Sequence, residues 1–178
     1  MAFGSEFERE RRIMYRLLAM DVDGTLTDGR EAFLPGGESL KFFHHHDMHC
    51  MKMALRAGLR VGLLSARDVP ANRRMTEDLH LTFLLAGATD KVAGFEEILR
   101  RYDLSPDECL YMGDDVVDMP VIRRAGIGVA VGDAVPELDE VARWRTSRPG
   151  GRGAAEEVIR RVLKEKNLFD AAMERYRR

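Results

Sequence analysis

The chain has 178 residues, 45% of them hydrophobic and 33% charged, with 28 basic and 30 acidic residues for a net charge of -2. That length allows one domain with a buried core, and the near-balance of well-mixed charge argues against a nucleic-acid or membrane-surface footprint. Apolar runs such as Gly126 to Val131 are strand-sized and too short to span a bilayer, while Cys50 and Cys109, the two cysteines, form no paired framework and fit free thiols in a reducing, cytoplasmic compartment.

The opening MAFGSEF reads as a cloning scar, because Gly-Ser-Glu-Phe is what two adjacent restriction sites encode, so residues 1–7 are set aside and 8–178 are expected to form a single domain. YRLLAMDVDG is then a strand ending in a polar turn. REAFLP and SLKFF flank a Pro-Gly-Gly turn and predict a hairpin. Helical spacing follows from Asp47 to Ala57 and stops at Gly58, a C-terminal signal. LRVGLLSA (strand), VPANRRMTEDLH (helix), TFLLAG (strand) and DKVAGFEEILRRYD (helix) come next. ECLYMGDD (strand), DMPVIRRAG (helix) and IGVAVGD (strand) follow them. A short helix near Val135 to Val141 leads into RWRTS, a glycine-rich turn, and a closing helix from about Gly153. Strand–helix alternation with wholly apolar strands predicts an α/β fold, a doubly wound Rossmann-like parallel sheet covered on both faces. Ligands of such sheets sit beyond the carboxyl ends of the strands.

Those ends carry a distinctive set: DVDGT, then SAR, then DK at a helix start, then GDDVVD. Asp21, Asp23 and Asp114 or Asp115 would gather carboxylates that need a cation or protons between them, and oxygen-only ligands suit magnesium. Ser65 supplies a hydroxyl and Lys91 a positive charge for phosphate oxygens. Asp21, directly after the strand, is the better nucleophile toward phosphorus, and Asp23 the acid that protonates the leaving oxygen and then the base that deprotonates water. Gly24 permits the tight turn that brings both to the substrate.

In this order DVDGT, Ser65, Lys91 and GDDVVD resemble the four motifs of the haloacid dehalogenase superfamily of phosphohydrolases. DVDGTLTDG, GGESLKFF, GDDVVDMPV and GGRGAAEEV are similar to its small, cap-less branch, that of the 3-deoxy-D-manno-octulosonate 8-phosphate phosphatases, and the likeness spans roughly Tyr15 to Lys166. The resemblance implies a magnesium-dependent phosphomonoesterase that acts on a small sugar-acid phosphate through an aspartyl-phosphate. It implies Asp21 as nucleophile and metal ligand, Asp23 as acid/base that also ligates through its carbonyl, and Ser65 and Lys91, with Gly24 in the turn, as phosphate holders. Asp114 becomes the side-chain metal ligand, Asp115 and Asp118 supporting groups, and Arg67 a substrate contact. It also implies a homotetramer whose neighbouring subunits help close each active site. With only about 40 residues between Asp23 and Ser65, and about 25 between Ser65 and Lys91, there is no room for a lid domain.

Several of these residues have plainer readings. Asp118 could simply cap the next helix. The turn before AAEEV is either an ordinary glycine-rich helix start or an anion site to which Arg152 adds a charge. KFFHHHDMHC holds four of the five histidines, and His45 with His49 has metal-binding i,i+4 spacing, but no third ligand is identifiable. The cap-less branch carries an Arg-Asp-Gly-x-Gly type sequence here; in this chain His46 stands where an arginine would help recognise the sugar acid, which makes the histidines substrate-selecting candidates at the crevice entrance, His46 first, and Asp47, which matches the aspartate, a supporting or substrate group. Competing functions are a nonulosonate 9-phosphate phosphatase or one for another small phosphoester, a phospho-accepting receiver, and a silent regulatory subunit. The paired aspartates after the first strand favour hydrolysis over the last two.

Overall fold

The computed structural model describes residues 15–37 and 39–178, so the expected cloning scar lies outside the described residues. Six parallel strands form the central sheet: β1 (Leu17–Met20), β4 (Arg60–Ser65), β5 (Phe83–Ala86), β6 (Cys109–Gly113), β7 (Ile127–Ala130) and β8 (Trp144–Arg145), in the order β5-β4-β1-β6-β7-β8. The remaining pair, β2 (Ala32–Phe33) and β3 (Ser39–Leu40), is an antiparallel hairpin that matches Ala32 with Leu40 and Phe33 with Ser39.

Because side chains alternate across a strand, each strand feeds two cores. Leu18, Met20, Leu110 and Met112 face one layer, made by α1 (His45–Arg56), α2 (Pro70–Leu79) and α5 (Ala154–Glu165). Leu17, Ala19, Cys109 and Tyr111 face the other, made by α3 (Lys91–Tyr102) and α4 (Met119–Arg124). From β1 the chain winds outward through β4 to β5, then returns to β6 on the other flank. That reversal opens a crevice at the carboxyl end of β1, whose Met20 pairs with Leu63 on one side and Met112 on the other.

Two local readings change, and two segments left unassigned take a structure. The helix expected from Asp47 begins at His45, with His44 extended at its cap, and ends where Gly58 takes φ +86°. The segment near Val135 to Val141 is a 3-10 turn over Pro136–Glu140, since Pro136 and a run of acidic residues start a helix that nothing continues. RWRTS contributes an edge strand, β8. The final segment, α6 (Phe169–Glu174), packs locally: Leu168, Phe169, Ala172 and Met173 lie against the α1–α5 core, and Arg56 donates to the Tyr176 hydroxyl at 2.9 Å. No helix among the described residues is long and apolar enough to cross a membrane.

Candidate active site

Asp21 leaves β1 with its N–H still donating to the Met112 carbonyl at 2.9 Å, so the sheet ladder itself aims this residue. The chain then turns tightly around Thr27, whose hydroxyl accepts from the N–H groups of Gly24 (3.2 Å) and Gly29 (3.3 Å). Gly24 has φ +82°, and a Cβ there would collide with the Asp114 carboxylate. Glycine is therefore required twice over, by the backbone and by the neighbour.

Lys91 is the first residue of α3. Asp90 caps that helix, accepting from Val92 and Ala93 N–H at 3.0 Å each, which frees the Lys91 side chain to turn inward. Its ammonium lies 2.8 Å from Asp21 Oδ1 and 2.5 Å from Asp118 Oδ1. Asp118 is fully buried and committed on both oxygens. Oδ1 also accepts from the Tyr111 hydroxyl at 2.6 Å, and Oδ2 accepts from the N–H groups of Asp114 (3.1 Å) and Asp115 (3.3 Å). The plain reading of Asp118 as a cap of the next helix is corrected: its side chain makes no bond to the start of α4 and instead orders the 3-10 turn Val116–Asp118 and fixes the lysine. Asp114, half-buried, accepts from the Thr25 hydroxyl at 2.9 Å. Asp115 is exposed and accepts from Val116 N–H at 2.6 Å, a turn-capping bond.

Among the described residues, Asp21, Asp114 and Asp118 are the one group of three or more whose candidate ligand atoms all lie within 4.8 Å of one another. Two of the three are weakened as acids. Burial first, and then the Asp118 charge, push Asp21 up to about 7 against the pull of Lys91. Burial also pushes Asp114 up to about 6 against the Thr25 hydrogen bond. For Lys91, burial alone would lower the value, but Asp21 and Asp118 outweigh it and hold the ammonium above the ordinary lysine range.

Ser65 ends β4 and is buried; its hydroxyl donates to Arg67 O at 3.1 Å and accepts from Asn72 Nδ2 at 3.3 Å. Arg67 reaches away to Glu31, before β2, at 2.6 Å, and that bond first, with help from Ser39, draws Glu31 down to about 2. Asp23, one-third exposed, pairs with Lys41 at 2.6 Å. Lys41, Asn72, Thr25 and Tyr111 were missed by the sequence reading. A signal for Lys41 did exist, since it alternates with the apolar Leu40 and Phe42.

The HDMHC stretch takes a different place from the one expected. Asp47 is buried and gives both oxygens to the start of α5, accepting from Gly153 N–H at 3.1 Å and Glu156 N–H at 2.7 Å. The amides offered as an anion site are thus already filled by the protein's own carboxylate, which favours the plain helix-start reading of the turn and gives Asp47 a supporting place. The glycines before α5 serve close approach: a Cβ on Gly150 or Gly151 would strike the backbone of the loop carrying Gly24 and Thr27. Arg152 is largely exposed, 3.6 Å from Asp28. His46 lies exposed with Nδ1 3.6 Å from Glu156, and the His49 ring packs on Tyr176 with centroids 5.3 Å apart. His45 and His49 enter no such group of gathered ligand atoms among the described residues.

A parallel sheet with its carboxylates, lysine and buried serine at the switch point defines a haloacid dehalogenase-like hydrolase, and the family model of that description matches residues 80–157. The 3-deoxy-D-manno-octulosonate 8-phosphate phosphatase KdsC of Escherichia coli is 35% identical over 157 residues, which cover 88% of this chain and 84% of that one. A structure of the Moraxella catarrhalis enzyme of that name, in complex with magnesium, phosphate and KDO, superposes with a TM-score of 0.90 at 27% identity, covering 94% of this chain and 97% of that one. The cobalt-bound Haemophilus influenzae enzyme gives 0.87 at 30% identity, covering 90% and 94%. The chain belongs to the 3-deoxy-D-manno-octulosonate 8-phosphate phosphatase family.

Proposed function

We propose that this protein is a magnesium-dependent phosphomonoesterase that hydrolyses 3-deoxy-D-manno-octulosonate 8-phosphate. The observation that carries the reading is the Lys91 ammonium held between Asp21 and Asp118, with Asp114 alongside, at the carboxyl end of β1 in a chain of this family.

The donor set fits a hard divalent cation: Asp21 and Asp114, whose pKa values are raised by burial and then by the Asp118 charge, gain a counter-charge when a cation joins them. Asp118 has no oxygen to spare, so Asp21, Asp114 and the Asp23 carbonyl would hold magnesium. When bound, magnesium supplies positive charge that offsets repulsion between the Asp21 carboxylate and the anionic phosphate. Lys91 would add positive charge as well, and the Ser65 hydroxyl, its proton turned away from Arg67 O, would donate to a phosphate oxygen. Asp21 attacks phosphorus to form an aspartyl-phosphate, and Asp23 gives its proton to the departing sugar oxygen. Asp23 then takes a proton from water, which attacks the aspartyl-phosphate and releases inorganic phosphate.

The exposed apolar hairpin, with Phe33 75% and Phe42 72% exposed beside Leu34 and Leu40, supports a homotetramer in which a neighbouring subunit covers each open site. The same reading treats residues 8–178 as one catalytic domain working in the cytoplasm. Two buried free thiols, pushed by burial up to about 11 for Cys50 and about 12 for Cys109, suit a reducing compartment.

Phosphate release should be measured with and without magnesium on 8-phospho-octulosonate, on 9-phospho-nonulosonates and on generic sugar phosphates. A preference for the first, abolished in Asp21→Asn, is expected. Equal, feeble rates on all would defeat the sugar-acid assignment, and full activity of Asp21→Asn would defeat the mechanism.

A further inference from the structure

Lys41 follows β3 on the hairpin, where its neighbours Leu40 and Phe42 are 47% and 72% exposed, yet its own side chain is 1% exposed. An ammonium so buried is costly unless it is paired and hydrogen-bonded. Its partners are Asp23 Oδ1 at 2.6 Å and Asn72 Oδ1 at 3.4 Å. Asn72, fully buried, presents its other end to the phosphate side of the site, donating Nδ2 to Ser65 Oγ and to Arg67 O at 3.3 Å each. One lysine thus closes a path from the phosphate-side hydroxyl to the acid/base carboxylate. Asp23 is one-third exposed, so nothing but a fixed partner holds a single rotamer there. The first strand of the hairpin is tied to the same rim by the Glu31–Arg67 pair.

We propose that Lys41 is a positioning residue: it aims the Asp23 carboxylate at the leaving-group oxygen, and because it rides on the hairpin, that aim depends on the hairpin being seated. The proposal rests on the assignment of Asp23 as acid/base. In the first half-reaction the Asp21–phosphorus bond forms, the bond from phosphorus to the sugar oxygen breaks, and that oxygen takes the Asp23 proton. In the second, water adds to phosphorus, its proton passes to Asp23, and the Asp21–phosphorus bond breaks. Lys41 exchanges no proton in either.

The discriminating quantity is leaving-group dependence. A sugar alkoxide needs the Asp23 proton; p-nitrophenolate leaves without one. Lys41→Met should lower kcat on 8-phospho-octulosonate by about 30-fold or more, within the range that proton transfer contributes, with KM changed less than about threefold. On p-nitrophenyl phosphate the first turnover should stay within about threefold of wild type, and a nitrophenolate burst should precede a slower steady state, because water still needs the base. Lys41→Arg, which keeps the charge, should recover most of the loss. Equal losses on both substrates, or a change confined to KM, would overturn the proposal.

Should Lys41→Met alone not fold, Asp23→Asn/Lys41→Met removes both charges together and is compared with Asp23→Asn. The two should agree within about twofold, and a further tenfold loss would show that Lys41 acts apart from Asp23 and overturn the proposal. Wild-type protein that ignores 8-phospho-octulosonate but cleaves p-nitrophenyl phosphate would sink the substrate assignment and leave the burst test of Lys41 intact.

Discussion

Replacing Lys91 with methionine leaves the Asp21 and Asp118 carboxylates facing each other without the ammonium that now sits 2.8 Å from one and 2.5 Å from the other. All three side chains are less than a tenth exposed, and removing one partner of a buried pair costs about 3–5 kcal/mol. A proton can relieve part of that loss. Asp21 is already raised to about 7 by burial and by Asp118, and without the lysine it rises further. A carboxyl raised in the folded state contributes stability that is fully present below its unfolded value of 3.8 and is lost as pH climbs through the folded value. Metal-free wild-type protein should therefore lose stability between about pH 4 and 7, while the variant keeps losing it above 7, at up to about 1.4 kcal/mol per unit. Urea denaturation in the presence of a chelator should give a variant penalty of about 1 kcal/mol at pH 5 and about 2.4 kcal/mol at pH 8. Equal penalties at the two pH values would refute the reasoning, because lost packing of the lysine stem carries no pH dependence.

Magnesium affinity should rise about tenfold from pH 6 to pH 7, since Asp21 near 7 and Asp114 near 6 must both shed protons. Titration calorimetry in buffers of different ionisation enthalpy reads the affinity and the proton release together, and a flat profile would contradict it. Gly24→Ala should cost about 1–3 kcal/mol for the positive φ and displace Asp114, with magnesium affinity down at least about tenfold. Unchanged affinity would mean that Asp114 does not hold the metal. Asp47→Ala should destabilise the fold by about 2 kcal/mol, because two α5 amides lose their acceptor, while kcat/KM stays within about threefold. A shift in substrate preference at unchanged stability would restore Asp47 to the substrate site.

Much of this architecture was legible from short-range pattern. Apolar strand runs punctuated by helical spacing specify which segments pair and which cover, and the aspartates after the first and sixth strands were found because the carboxyl ends of a parallel sheet converge. The 3-10 turn at Pro136–Glu140 and the edge strand at Trp144–Arg145 were not legible, because two-residue pairing and a broken helix leave almost no periodicity. Asp47 was left open between support and substrate for a related reason. Only the approach of α1 to α5 gives its carboxylate two amides to accept from.

By itself the sequence determined the sheet order's raw material and the placing of Asp21, Asp23 and Lys91 at the carboxyl end of the sheet, because each sits at a fixed offset from a strand or helix end. Tertiary packing decided what those groups do to one another. Asp118 proved to be the carboxylate that fixes Lys91, since Tyr111 and two backbone amides reach it from β6 and the turn beyond. Lys41 came under Asp23 only because the hairpin folds back over the rim, a contact set by the three-dimensional path of the chain and by no local rule. Of the histidines that dominate the sequence to the eye, His45, His46 and His49 are exposed on the outer face of α1, because the helix turns its Asp47, Cys50 and Met51 face to the core.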